Sequence, residues 1–208
     1  MSSNLRESSF RAKKIILWAL LNIVFLAVLA AFFLEHRSGS HLSPSLGPAP
    51  DFQLVDQRSK AVQKSDFYGK IWVAGFVFTH CAGQCPFIVE KVIELKNKFG
   101  QNPDLKYVFF SVDPERDTVE VLSSYAARYD LDDDNVYFLT GSKKDVQAVV
   151  EKGFRLALAP GTDPKEPIIH SNRLVLVGRK GKMLGAFLTV DNESFQSLQE
   201  VIQGELKT

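Results

Sequence analysis

Apolar residues fall along this chain in two regimes. From Ile15 to Leu34 they form an uncharged run of twenty residues broken only by Asn22, long enough to span a bilayer as a helix. Beyond residue 50 they come in short blocks separated by turn residues. Phe52 to Leu54 and Ala61 to Gln63 predict an entry hairpin around the turn residues Asp56 to Lys60. Ile71 to Phe78 is a near-continuous apolar run, the pattern of a strand covered on both faces. Pro86 to Phe99 then puts Ile88, Val92, Leu95 and Phe99 on one helical stripe, with Gly100 as its stop. Leu105 to Val112 predicts a second buried strand closed by Asp113-Pro114, and Val119 to Tyr129 a second helix. Val136 to Leu139 and Lys143 to Phe154 repeat the alternation.

After that the pattern changes. Arg173 to Val177 and Met183 to Leu188 flank the turn Gly178 to Lys182, a hairpin signal, and Glu193 to about Glu205 closes the chain as a helix. Parallel strands with crossover helices, followed by an antiparallel hairpin, predict an α/β sandwich with a mixed sheet. The phenylalanines fall in strands and on helix faces, where core packing accounts for them.

Ser38 to Pro50 is rich in Ser, Gly and Pro and reads as a linker. The predicted organisation is a leader over 1–14, a transmembrane anchor over 15–34, a linker over 35–48 and one folded domain over 49–208. His36 and His41 lie in this polar stretch with no partner ligand near in sequence, the setting of solvated histidines. Arg6, Arg11, Lys13 and Lys14 precede the apolar run, so that flank is expected in the cytoplasm and the domain on the opposite side. A run of this length favours an uncleaved anchor over a signal peptide, despite the small residues Ala27, Ala30 and Ala31. The short leader, which carries Glu7, points to a bacterial inner membrane with the domain in the periplasm, ahead of a mitochondrial inner membrane. A net charge of +1 with both signs interspersed leaves no electrostatic footprint for nucleic acid.

The chain has two cysteines, Cys81 and Cys85, directly after the apolar run that ends at Phe78. A spacing of four sets their Cα atoms about 6 Å apart if a helix begins there. That distance suits either a disulfide or two thiolates on one metal ion. A staple closing so short a loop would constrain the unfolded chain little. A helix N-terminus favours thiolate, which serves both thiol exchange and metal ligation. Outside the cytoplasm such a pair tends to oxidise unless a reductant or a metal protects it.

A third ligand would separate these readings, and His170, in Pro167 to Asn172 before the terminal hairpin, is the candidate. Two thiolates and an imidazole suit Cu(I), hold Cu(II) with an added ligand, and also accept zinc. His80, beside Cys81, is expected to point away from the sulfurs and to act through packing or on the thiol pKa, with ligation a minor option. Asp113 and Asp117 read as a strand-ending turn and helix-start chemistry rather than an acidic metal site.

At this point the residues resemble a known family. Phe52-Gln53-Leu54-Val55-Asp56-Gln57, Phe76-Val77-Phe78-Thr79-His80-Cys81 with Cys85-Pro86, Ser111-Val112-Asp113-Pro114-Glu115-Arg116-Asp117-Thr118 and His170-Ser171 are together similar to the SCO/SenC proteins, across about residues 49 to 205. These are membrane-anchored copper proteins that assist cytochrome c oxidase assembly. The resemblance implies a thioredoxin-like three-layer sandwich, with Cys81, Cys85 and His170 as copper ligands. It further implies delivery of copper to, or reduction of cysteines in, the dinuclear copper site of oxidase subunit II. The chain departs from the family's usual pattern at Ala82, where Pro commonly follows the first cysteine, and at Ile169, where an acidic residue commonly precedes the histidine.

Two functions are carried forward: a copper metallochaperone that needs His170, and a thiol-disulfide oxidoreductase that uses Cys81 and Cys85 without it. A redox or copper sensor would draw on the same residues, and a peroxidase using Cys81 is a weaker third class. Three residues between the cysteines, rather than the two of the common redox motif, tilt the reading toward metal.

Overall fold

The computed structural model describes residues 18, 20–30, 46–81, 84–155, 159–163, 166–169 and 172–208. The chain divides into two units, Met1–His41 and Leu42–Thr208. In the first, residues 20–30 are helical and Asn22 donates to the carbonyl of Trp18 at 2.9 Å. Leu21, Ile23, Val24, Phe25, Leu26 and Val28 are exposed. Among the described residues no helix is long and apolar enough to cross a membrane, and much of the expected 15–34 anchor, like His36 and His41, lies outside them.

The second unit begins with β1 (Gln53–Asp56) and β2 (Ala61–Gln63), the expected entry hairpin. Then come β3 (Ile71–Val77), α1 (Gln84–Phe99), β4 (Leu105–Ser111), α2 (Val119–Arg128), β5 (Val136–Thr140) and the short α3 (Lys143–Gln147). The chain continues through β6 (Ala159–Asp163), β7 (Glu166–Ile169), β8 (Arg173–Val177), β9 (Met183–Leu188) and α4 (Asn192–Glu205). Seven strands form one sheet in the order β2-β1-β5-β4-β3-β8-β9. β3, β4 and β5 run parallel, and β1 and β8 flank them antiparallel, so the sheet is mixed as the pattern predicts.

β3 pairs on both edges and all seven of its residues are buried, which is why its sequence is apolar without alternation. α1 turns Ile88, Val89, Val92 and Leu95 onto the core and ends at Gly100, whose φ of +65° suits glycine. Phe52, Trp72, Phe76, Phe110 and Phe154 form one aromatic cluster, with Phe52 edge-on to Phe110 at 5.2 Å.

Two elements differ from expectation. The helix expected over Lys143 to Phe154 stops at Gln147 and widens into a π-type turn over Ala148–Gly153, which places Val149, Val150 and Phe154 all in the core. No element was predicted between Phe154 and Arg173, yet β6 and β7 pair as an antiparallel hairpin separate from the main sheet. Pro160, Gly161 and Pro167 conceal it, because proline and glycine weaken any strand signal.

Candidate metal centre

The thiols sit where β3 gives way to α1. The strand ends at Val77 in the middle of the sheet, and the amide of Cys81 closes a turn by donating to the carbonyl of Phe78 at 3.3 Å. α1 starts at Gln84, so Cys85 lies in its first turn, where four backbone N–H groups have no intrahelical partner. One of these is used at once: the amide of Cys85 donates to the sulfur of Cys81 at 3.4 Å. The amide of Phe78 donates to the sulfur of Cys85, also at 3.4 Å. Pro86, next in the helix, has no N–H to lose there.

Both side chains are buried thiols, Cys81 with 8% of its surface exposed and Cys85 with none. The helix N-terminus was expected to depress a thiol pKa, but in the metal-free protein the balance goes the other way for Cys85. A hydrogen bond with the Cys81 side chain, then burial, hold the Cys85 thiol far above its ordinary range, and the negative charge of Asp117 adds a smaller push. Two buried thiols held by backbone amides form a soft donor pair that fits a thiophilic metal.

His170 lies outside the described residues, as do Ala82 and Gly83. Among the described residues no group of three His, Cys, Asp or Glu side chains comes together as a metal site. Ile169 ends β7, so the histidine follows directly on a strand rather than a long loop. His80 is exposed, with Nδ1 3.1 Å from Thr79 Oγ1, and it helps line a cleft of about 470 Å3 with Glu120, Ser124, Tyr125 and Arg128.

Asp117 was expected to serve the start of the second helix, but its structural place is elsewhere. Thr118 is the N-cap of α2, accepting from the amide of Val121 at 3.4 Å. Asp117 is fully buried and turns toward the dithiol turn instead. Its carboxylate accepts from the Thr79 amide at 3.2 Å, from Thr79 Oγ1 at 2.6 Å and from Ser111 Oγ at 2.6 Å. Ser111 Oγ itself accepts from the amide of Asp113, which directs its proton to Asp117. A buried carboxylate is costly unless its lone pairs are satisfied; here three donors meet it. Asp113 does close the turn after β4, as expected, its carbonyl accepting from the amides of Arg116 and Asp117.

A sequence profile of the SCO1/SenC family matches residues 44–204. The chain belongs to the SCO1/SenC family. The SCO1 protein homolog of Bacillus subtilis is 33% identical over 149 residues, covering 71% of this chain and 77% of that protein. The chain spans about half the length of the human mitochondrial SCO1 homolog, 52% of it at 31% identity. The solved structure of Arabidopsis thaliana ScoI with copper bound superposes with a TM-score of 0.64 at 27% identity, covering 76% of this chain and 98% of that one. BsSco, described as a member of the Sco family of cytochrome c oxidase assembly proteins with a disulfide switch, gives a TM-score of 0.66 at 31% identity, over 78% of this chain and 95% of its own. The SCO1/SenC domain of this chain therefore has the thioredoxin-like α/β fold of these proteins.

Proposed function

We propose that this SCO1/SenC protein is a copper metallochaperone, anchored in a bacterial inner membrane by residues 15–34, with the domain from residue 49 in the periplasm. It holds copper through Cys81, Cys85 and His170 and serves the dinuclear copper site of cytochrome c oxidase subunit II. The carrying observation is the buried thiol pair, each sulfur receiving a backbone amide, Cys85 N–H on Cys81 and Phe78 N–H on Cys85. Amides already aimed at sulfur favour the thiolate forms that a metal requires. Copper-bound ScoI of Arabidopsis thaliana supports the choice of metal. In this reading copper is cargo: its arrival displaces the two thiol protons, and its departure returns a dithiol.

A second reading has a specific observation in its favour, the disulfide switch of BsSco. In it the Cys81 thiolate attacks a partner disulfide, the partner leaves as one thiolate, and Cys85 then displaces the second, so the pair ends as a disulfide and the partner as a dithiol. Copper loading of the reduced full chain in detergent separates the two. One ion per chain, with affinity at least about a hundredfold lower in His170→Ala, supports the metallochaperone. Unchanged affinity in that variant sinks the three-ligand site. Reduction of a disulfide target by the metal-free protein, undiminished in His170→Ala, favours the exchange reading.

A further inference from the structure

Consecutive amides at the end of β3 divide between the two features of the site. The N–H of Phe78 points at the Cys85 sulfur at 3.4 Å, and the N–H of Thr79, one residue on, points at the Asp117 carboxylate at 3.2 Å. Neighbouring backbone nitrogens are separated by less than a Cα–Cα step, so sulfur and carboxylate lie within roughly 10 Å of one another. Every group that holds Asp117 is neutral: one amide and the hydroxyls of Thr79 and Ser111. Among the described residues no ion pair involves it, whereas nearby Asp113 is paired with Arg116. The three donors satisfy an ionised carboxylate, which only accepts, and leave its charge uncancelled in the interior.

From this placement we infer that Asp117 tunes the oxidation state of copper bound at Cys81 and Cys85, its buried negative charge stabilising Cu(II) over Cu(I). Thiolates by themselves prefer the softer Cu(I). Cu(II) carries one more unit of positive charge, so a fixed anion at this range favours it by roughly tenfold in affinity, at the effective dielectric of a protein site. Burial keeps salt from screening the interaction away. The same carboxylate ties the Thr79 end of the dithiol turn to the end of β4 through Ser111, so it has a holding role as well, and the test must separate charge from scaffold. The inference rests on the copper reading above.

The experiment compares full-length wild type, Asp117→Asn and Ser111→Ala, each loaded with one equivalent of copper, by spectroelectrochemical titration and by Cu(I) and Cu(II) competition with chelators. Asp117→Asn removes the charge at nearly constant shape. Its Cu(II) affinity is expected to fall about tenfold more than its Cu(I) affinity, a rise of about 59 mV in the one-electron potential. Ser111→Ala deletes a hydrogen bond and keeps the charge, so its thermal stability is expected to fall with no rise in potential. An unchanged or lowered potential in Asp117→Asn overturns the inference, and so does a rise in Ser111→Ala equal to that of Asp117→Asn. Should Asp117→Asn fail to fold, Ser111→Ala decides: a raised potential overturns the inference, an unchanged or lowered one supports it. A wild type that takes up no copper sinks the copper reading as well, whereas a wild type that binds copper beside an Asp117→Asn of equal potential sinks this inference alone.

Discussion

The backbone N–H of Cys85 donates to the sulfur of Cys81 at 3.4 Å. The first turn of α1 therefore spends one of its otherwise unpaired donors on the preceding cysteine, and forming the helix start and forming the donor pair are one event. Replacing Cys81 by Ser keeps an acceptor for that amide but removes a soft ligand. Cys81→Ser and Cys85→Ser are each expected to fold and to lose copper affinity by at least about a hundredfold, measured by chelator competition.

Copper uptake is expected to be proton-linked. The Cys85 thiol, held above its ordinary range by the hydrogen bond with Cys81 and by burial, is protonated at neutral pH and must release its proton to bind metal. Affinity thus rises with pH, by at least about tenfold per unit between pH 6 and 8. A flat profile in chelator competition would contradict this.

Gly75, in the middle of β3, is required by its neighbour. A Cβ there would stand 2.9 Å from Cδ1 and 3.1 Å from Cε1 of Phe109, a ring already stacked on Phe138 with centroids 4.5 Å apart, so that one or both must shift. Gly75→Ala is expected to destabilise the domain by about 1–3 kcal/mol. Denaturant titration measures it, and a neutral result would show that the ring pair relaxes freely.

Asp104 joins the start of β3 to the β8-β9 turn. Hydrogen bonds from Lys70 at 2.7 Å and Arg179 at 3.2 Å, with their charges, hold its carboxyl below the ordinary value of 3.8. A depressed carboxyl stabilises the fold above its unfolded pKa, and that contribution is lost as pH falls from about 3.8 through the lower folded value. Asp104→Asn should lower stability at pH 6 and flatten the acid limb of the stability curve. Parallel acid limbs for both proteins would assign the acid loss elsewhere.

Thr118, not Asp117, caps α2. Thr118→Ala is expected to cost about 1 kcal/mol and Thr118→Ser to restore most of it, with copper affinity unchanged in both. Loss of copper affinity in Thr118→Ala would tie the cap to the site.

The sequence made the main sheet legible because burial writes itself plainly there. The apolar runs at Ile71 and Leu105, the second interrupted by Lys106, are the strands β3 and β4, and the polar turn at Gly178 joins β8 to β9. Cys81 and Cys85 were legible as a pair through spacing alone, and the structure brings them together as expected. Asp117 was not. In sequence it stands beside a capping threonine and looks like helix-start chemistry, since local pattern carries no sign of a contact with Thr79, 38 residues earlier. Only a polar trio of Thr79, Ser111 and Asp117 at the ends of two apolar strands hinted at it. The rise of the Cys85 pKa was hidden for a related reason: helix polarity follows from chain order, whereas burial and the facing thiol follow from packing. The β6-β7 hairpin was obscured by its prolines and glycine, which argue for a loop wherever side-chain packing is not in view.

The seating of the dithiol beside the innermost strand has a consequence for how the protein comes apart. Peripheral segments of a protein exchange and open cheaply, but a strand paired on both edges with every side chain buried opens only with the whole unit. Amide exchange in β3 should then proceed only at the rate of global opening. The strand that carries the dithiol turn would be the last part of the domain to come apart.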